Sequence, residues 1–233
     1  MRTFAVLWRK EVDALFSSPI AYVLIAVFLI VMGYSFTLKL FITHSQSLVD
    51  LFFQMFVLIL LTVPIITMRL VAEEKKLNTL EVLLTSPVTE PQIILAKFAA
   101  SLALVAFMLG LSGVYAVVLA LYGDPDWGPI FSGYLGLLLF AASLVGVGLL
   151  SSALTNNQII AAVVSLSLFL LLWIIDEVAP LLPAPLDDVV LHLSLSGHFK
   201  PFATGSLYLS DVAFFLSSAF LTLFLAIRAL SWR

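Results

Sequence analysis

A run of four consecutive charges is the group of residues best suited to recognising a partner: Glu73, Glu74, Lys75 and Lys76. Leucines at helical spacing follow this run: Leu77, Leu80, Leu83 and Leu84. Their spacing predicts a short amphipathic helix, whose apolar face must be covered by a membrane surface or by a partner's groove. Glu81 adds a carboxylate between the leucines, and the acidic residues would set the register against a basic partner. A solvated charged loop is the simpler alternative.

Motifs for catalysis, nucleotide binding and metal binding are absent from the sequence. The patterns G-x-x-x-x-G-K-[ST], G-x-G-x-x-G, H-E-x-x-H and G-x-S-x-G do not occur, and there is no cysteine. His192 and His198 are six residues apart, whereas a metal pair on a helix prefers a spacing of about four. We interpret them, with His44, as outer-loop residues that bond backbone or water. The sequence therefore predicts a chain with no cofactor, metal or enzymatic activity of its own.

Composition determines the environment in which these residues act. Hydrophobic residues make up 62% of the 233 residues and charged residues 11%, against about 25% charged in soluble domains. A soluble fold of this length could not bury so much apolar surface, so the sequence predicts an integral membrane protein. The formal net charge is −3 without a basic cluster, which argues against nucleic acid as a partner.

Six apolar stretches are long enough to cross a bilayer as helices, which takes about 17–25 residues. The predicted spans are Ile20–Phe41, Leu51–Met68, Ile93–Leu121, Ile130–Leu154, Ile159–Ile175 and Val212–Ile227. Backbone groups in lipid must be satisfied within their own segment, so each span is predicted to be helical. The expected fold is all-α, with residues 1–233 forming a single transmembrane domain.

The placement of lysine and arginine predicts the orientation, because basic residues collect on the cytoplasmic side of a membrane. With the amino terminus inside, nine of the eleven basic residues lie at the cytoplasmic face: Arg2, Arg9, Lys10, Arg69, Lys75, Lys76, Lys97, Arg228 and Arg233. Lys39 and Lys200 lie outside. An even number of spans then places both chain ends in the cytoplasm.

Three segments outside the spans have patterns of their own. Residues 1–19 carry apolar side chains at helical spacing with Arg9, Lys10 and Glu11 between them, which predicts an amphipathic helix in the membrane interface. An extension of the first span is the alternative. Residues 70–90 form the charged cytoplasmic loop, and Thr89 is the predicted cap of the third span. Residues 176–211 are an apolar outer segment, predicted to form short helices that dip into the outer leaflet and return.

The spans offer sites for close packing but no ion path. Small residues let helices approach one another in lipid, and the fourth span carries Gly133, Gly136, Gly146 and Gly148. No acidic residue falls in the middle of a span, which argues against a pump with its own proton relay. The driving force is therefore expected to come from another subunit.

The charged loop resembles the signature of type-2 ABC exporter permeases, in which an acidic-basic cluster precedes T-L-E-x-L-L-x-[ST]-P and a lysine enters the third span. The matching residues are Glu73, Glu74, Lys75, Lys76, Thr79, Leu80, Glu81, Leu83, Leu84, Thr85, Ser86, Pro87 and Lys97. Asn78 stands where the family usually has glycine, and asparagine also reaches left-handed backbone angles. The turn at 151–158, with Asn156 and Asn157, resembles the family's second cytoplasmic loop. Residues 193–211 resemble those of the gliding-motility (GldF-like) subgroup.

The resemblance implies a permease subunit whose ATPase is a separate nucleotide-binding subunit, so that ATP and magnesium would be held by that partner. Coupling to it would run through residues 72–86 and the interfacial helix. The other implied partners are a second permease, alike or homologous, and a periplasmic accessory protein, and the implied location is a bacterial inner membrane. A membrane anchor, assembly or mechanotransmission subunit that transports nothing is the alternative left open.

Overall fold

The structure is a computed structural model that describes residues 2–43, 47–79, 88–123, 125–181, 183 and 190–231. Every regular element within these ranges is helical. The α-helices are α1 (Arg2–Ser17), α2 (Pro19–Leu38), α3 (Val49–Thr67), α4 (Ala72–Lys76), α5 (Glu90–Tyr122), α6 (Trp127–Leu154), α7 (Gln158–Val178), α8 (Leu195–Ala203) and α9 (Leu209–Ser231). A π-helical turn, Lys39–Thr43, extends α2, and a 3₁₀ turn, Ala179–Leu181, extends α7.

In the described part of the chain, six helical segments are long and apolar enough to cross a membrane. They are Pro19–Phe41, Val49–Lys76, Glu90–Tyr122, Trp127–Leu154, Gln158–Val178 and Leu209–Ser231. Each contains one predicted span and extends it, so the prediction of an all-α chain with six spans is confirmed. The side of the membrane on which the chain ends lie stays a prediction. We call the end of the bundle where α1, α4 and the start of α5 meet the Lys97 end, and the opposite end the α8 end.

The first helix is separate from the first span. Ser18 has extended backbone angles (φ −76°, ψ 127°), and Pro19 begins α2. Proline lacks an amide proton, so it cannot continue the hydrogen bonding of the preceding helix. The alternative that α1 is an extension of α2 is therefore wrong. α1 lies along α5, where the rings of Phe16 and Phe107 meet edge to face at 5.6 Å.

The third span begins with the predicted cap. Thr89 and Gln92 form a capping box, in which the amide of Thr89 donates to Gln92 Oε1 at 3.3 Å. Pro91 lies in the first turn, where a missing amide proton costs nothing. This arrangement satisfies donors that the start of a helix would otherwise leave unpaired.

The fourth span, α6, is the centre of the bundle. Of its most apolar stretch 78% is buried, against 17% for α7 and for α9. Its glycines allow the neighbouring helices to approach: a Cβ on Gly133 would lie 2.6 Å from the ring of Phe52, and one on Gly136 would lie 2.5 Å from Phe202. The other two predicted glycines face threonine side chains of α9 and α3. The predicted close packing of this span is confirmed.

Replacing Gly136 with alanine is expected to lower the free energy of unfolding by about 1–3 kcal/mol. The new methyl group would meet Cβ and Cγ of Phe202, which lie next to the backbone of α8 and have little freedom to move. Gly110→Ala is the matched control, since its Cβ would meet nothing within 4 Å. Thermal unfolding in detergent measures both, and equal stability of the two variants would contradict the packing described here.

The segment before the last span enters the α8 end of the bundle. Phe199 of α8 is fully buried, and its ring stacks on that of Phe56 at 5.1 Å. Phe56 lies seven residues after Val49, the start of α3, which corresponds to about 10 Å along a helix axis. The short helix therefore reaches below the end of α3, in agreement with a dipping segment, and its depth in a bilayer stays a prediction.

Candidate functional site

At the Lys97 end, α4 is held against the end of α6 by hydrogen bonds to one serine. The amides of Val71 and Ala72 both donate to Ser152 Oγ, at 3.1 and 3.0 Å. The Ser152 hydroxyl donates in turn to the carbonyl of Met68 at 3.2 Å. Amides at the start of a helix have no partner within it. The buried Ser152 hydroxyl therefore accepts from the two amides at the point where the chain reverses after α3.

Lys75 joins the start of the charged loop to the turn at 151–158. The ammonium group of Lys75 donates to the carbonyl of Ala153. Asn157 Oδ1 accepts from the amide of Ile159 at 2.9 Å and so caps α7, while Asn156 is exposed. As a result α4 contacts both α6 and α7.

Lys97 is the most deeply buried charged residue that the structure describes, with 1% of its surface exposed. Its ammonium nitrogen lies 2.8 Å from Glu74 Oε1 and 3.1 Å from Glu11 Oε2. The ammonium group of Lys10 lies 3.7 Å from Glu11 Oε1 and 3.9 Å from Glu74 Oε1. Each of these four groups is therefore flanked by two of opposite sign. We call Lys10, Glu11, Glu74 and Lys97 the charge ring.

The charge ring joins three separate elements, because Lys10 and Glu11 come from α1, Glu74 from α4 and Lys97 from α5. Removing a charged group from water costs several kcal/mol, so a buried ammonium is tolerated only beside carboxylates placed by the rest of the fold. The four formal charges cancel. Lys97, Glu11 and Glu74 are largely shielded from water, whereas 54% of the Lys10 side chain is exposed, so water screens its attraction to the two carboxylates. The charge ring thus joins α4 to both α1 and α5 by ion pairs.

Other residues predicted for this site lie outside the charge ring. Arg9 is exposed and pairs with Asp13 on the same helix at 4.0 Å. Lys76 is exposed. The hydroxyl of Thr79 donates to the carbonyl of Glu74 at 3.3 Å. These contacts are local or weak, so Arg9, Lys76 and Thr79 do not join one element to another in the described structure.

The chain turns at Asn78, whose φ of 57° is left-handed, as the residue type allows. α4 consequently ends at Lys76, and Leu77 is exposed beyond it. The predicted amphipathic helix does not therefore run directly on from the four charges. The remaining predicted coupling residues lie outside the described residues: Leu80, Glu81, Leu83, Leu84, Thr85, Ser86 and Pro87.

Ser152→Ala is expected to lower the free energy of unfolding by about 1–3 kcal/mol, because two buried amides lose their acceptor. Ser231→Ala is the matched control: Ser231 is exposed, and its hydroxyl donates to the carbonyl of Arg228 one turn earlier, at 2.9 Å. Hydrogen exchange should also become faster at residues 68–76 in the first variant. Unchanged exchange there would contradict the role of Ser152.

A second polar cluster, at the α8 end, holds α8 against α7. The carboxylate of Asp176 accepts from Lys200 at 2.5 Å, from Ser196 at 2.9 Å and from Ser194 at 3.1 Å. Ser194 also caps α8 by accepting from the amide of Gly197 at 2.9 Å. One carboxylate therefore fixes both the start and the middle of the short helix.

His198 corrects the expectation that the histidines are loop residues bonded to backbone or water. It lies in α8, its Nδ1 is 2.7 Å from Asp211 Oδ1, and its ring stacks on that of Phe214 at 4.0 Å. Only its contact with the carbonyl of His192, at 3.2 Å, is of the expected kind. His44 lies outside the described residues. In the ranges that the structure covers, no three acidic, histidine or cysteine side chains are grouped as metal ligands would be.

Comparison with known proteins identifies the type of membrane domain. The family model described as "ABC-2 family transporter protein" matches residues 43–189. The chain belongs to this ABC-2 family. It is also 35% identical over 96 residues to a protein named "Probable multidrug ABC transporter permease YbhR" in Escherichia coli strain K12, and equally to its counterpart in Escherichia coli O157:H7. Each match covers 41% of this chain and 26% of the relative.

The residues matched by the ABC-2 family model contain four of the six candidate spans and the charged segment after α3. Both Glu11 and Lys97 were singled out from the sequence, but their pairing was not predicted. Lys97 stands inside a predicted span, and a lysine there requires a carboxylate from elsewhere. That signal was present, but the sequence alone does not say which of the acidic residues supplies the partner.

Proposed function

We propose that the chain is the transmembrane permease subunit of an ABC exporter, in which a separate nucleotide-binding subunit hydrolyses ATP to drive the transport of a cargo. The charge ring is the observation that carries this proposal. It links α4, next to the segment expected to meet the ATPase, with the interfacial helix α1 and with the third span α5. The match to the ABC-2 family supports the same conclusion.

In this proposal α4 and the residues that follow it transmit force from the ATPase. A push on α4 reaches α5 and α1 through the charge ring, and it reaches α6 through Ser152 and Lys75. Because α6 is the most deeply buried span, its displacement would also displace the helices that pack on it. The Lys97 end would accordingly face the cytoplasm, as the distribution of basic residues predicts.

The remaining parts of the assembly follow from this role. ATP and magnesium would bind the partner subunit, and this chain would hold neither. A second permease, identical or homologous, would complete the transport path, and a periplasmic accessory protein would contact the α8 end. The proposed location is the inner membrane of a bacterium. The gliding-motility subgroup remains a prediction from residues 193–211.

Co-purification with an ATP-binding-cassette subunit encoded by a neighbouring gene tests the proposal. The wild-type pair is expected to remain together in mild detergent and to show ATP-dependent cargo movement after reconstitution in vesicles. Leu80→Asp combined with Leu84→Asp should abolish the association, because two carboxylates would be placed on the apolar face expected to dock.

Leu207→Asp combined with Leu209→Asp is the matched control, since both leucines are exposed at the α8 end. This control should leave binding of the ATPase unchanged. A chain that never co-purifies with an ATPase, and whose transport survives the change at positions 80 and 84, would overturn the proposal. A stable complex that hydrolyses ATP and moves no cargo would favour the mechanotransmission alternative.

A further inference from the structure

The imidazole ring of His198 lies between two hydrogen-bond acceptors at the α8 end. Its Nδ1 is 2.7 Å from Asp211 Oδ1, a carboxylate oxygen of α9. Its Nε2 is 3.2 Å from the backbone carbonyl oxygen of His192, in the segment before α8. An ionised carboxylate and a carbonyl oxygen can accept hydrogen bonds but cannot donate them, so each contact needs an N–H on the ring.

These two contacts determine how many protons the ring needs. A neutral imidazole has a single N–H and can donate to one of the two oxygens, whereas the imidazolium form donates to both. In the neutral form, one ring nitrogen would direct its lone pair at the lone pairs of an oxygen. A carboxyl group is a stronger acid than an imidazolium, so the additional proton belongs to the ring and not to Asp211. The arrangement is therefore complementary to the cationic form of His198.

Two further features favour the cationic ring. Asp211 is buried, with 7% of its surface exposed, and its other oxygen, Oδ2, has no hydrogen-bond partner among the described residues. A buried carboxylate with so few donors depends on a neighbouring cation. The ring of Phe214 stacks on the imidazole with 4.0 Å between the centroids, and the face of an aromatic ring attracts a cation.

The other charged groups near α8 do not titrate in the same range of pH. The helices that pack on α8 are α3, α6, α7 and α9, and α6 carries no charged residue. Carboxylates and ammonium groups ordinarily keep their charge from about pH 5 to pH 8, where a histidine changes its own. Apart from Asp211, the charged residues at this end are paired with one another or exposed: Lys200 with Asp176, Lys39 with Asp50, and Glu177.

We propose that His198 is a proton-binding site that attaches α8 to α9 and to the segment before it. We call His198, Asp211 and the carbonyl group of His192 the proton latch. Loss of the proton breaks one of the two hydrogen bonds and leaves Asp211 without its cation, so the attachment is strong at low pH and weakens as the pH rises. The His198 side chain is 17% exposed, which gives the proton access to water. The latch would thus respond to the acidity of the compartment at the α8 end, whether or not the chain acts with an ATPase.

Hydrogen exchange of the full chain in detergent tests the proton latch when it is measured at about pH 5.5 and about pH 8.5, on either side of the ordinary histidine titration. After correction for the intrinsic effect of pH on exchange, protection of residues 195–203 is expected to fall about tenfold at the higher pH, the effect of one charged hydrogen bond. His198→Gln should remove this pH dependence, because an amide side chain does not titrate. His192→Gln is the matched control and should retain it, since His192 contributes a backbone carbonyl to the latch.

Nitrogen-15 NMR of the wild-type chain labelled at its three histidines provides a second measurement, which does not depend on the folding of His198→Gln. The ring of His198 is expected to carry an N–H on both nitrogens at the lower pH and on one nitrogen at the higher pH. Variants at His44 and His192 assign the remaining signals to His198. A ring of His198 with a single N–H at both pH values, wild-type protection of α8 that does not change with pH, or an unchanged pH dependence in His198→Gln would each overturn the proposal.

Discussion

Lys97→Met is expected to lower the free energy of unfolding by about 3–5 kcal/mol, the usual cost of removing one partner from a buried ion pair. Glu11 and Glu74 would keep Lys10 as the remaining cation of the charge ring, at 3.7 and 3.9 Å. In reconstituted vesicles we expect transport to be lost while the ATPase subunit still hydrolyses ATP, because α5 would no longer be linked to α4 and α1. Thermal unfolding and a parallel measurement of transport and ATP hydrolysis check both expectations.

Lys76→Met is the matched control for this change, because the same substitution is made at an exposed lysine of α4. Its effect on stability should stay within about 0.5 kcal/mol. Adding Glu11→Gln to Lys97→Met should recover part of the lost stability, since it removes one of the two uncompensated carboxylates. If Lys97→Met unfolds at the wild-type temperature and transports normally, the charge ring has neither a structural nor a coupling role.

Asp176→Ala is expected to release α8 from the α8 end of the bundle and to destabilise the chain by about 3 kcal/mol or more. The substitution removes the acceptor for Lys200, Ser194 and Ser196 together, and bonds to a charged group contribute about 1.5–3 kcal/mol each. Amide hydrogen exchange at residues 195–203 should become faster, while exchange in α4 stays the same. This local pattern separates the loss of α8 from general unfolding.

Glu177→Ala tests the neighbouring carboxylate, which is exposed on the same helix. It should change neither the exchange of α8 nor the melting temperature. Lys200→Met removes a single partner of Asp176 and is expected to give an intermediate effect. If Asp176→Ala accelerates the exchange of α8 no more than Glu177→Ala does, the helix is held by Phe199 and its aromatic neighbours instead.

The spans were predictable because hydropathy and length act locally. A stretch such as Ile93–Leu121 has one charged residue, Lys97, and its backbone groups must be satisfied within the segment in lipid, which requires a helix. Local chemistry also determined the boundary at Pro19, the cap at Thr89 and the turn at Asn78. The close packing of the fourth span was predictable for the same reason, because small residues at helical spacing indicate close packing whichever helix lies beside them.

Contacts between distant parts of the chain were not predictable in this way. Lys97 and Glu11 are 86 residues apart, and Ser152 is 80 residues from Ala72. The pairing of His198 with Asp211 also needed α8 to fold back onto α9, where sequence spacing suggested an isolated loop residue. Pattern reasoning identifies residues that need a partner, but the partner is chosen by how the helices pack.

The sequence by itself determined the environment, the six spans, the separate first helix and the charged segment that resembles ABC-2 permeases. These features depend on composition and on spacing within about twenty residues, which is the length of one helix across a bilayer. Only the tertiary structure decided that Glu74 and Glu11 meet at Lys97 and that one serine closes the turn into α4. Burial creates the need for these partners, and the packing of the helices determines which residues meet it.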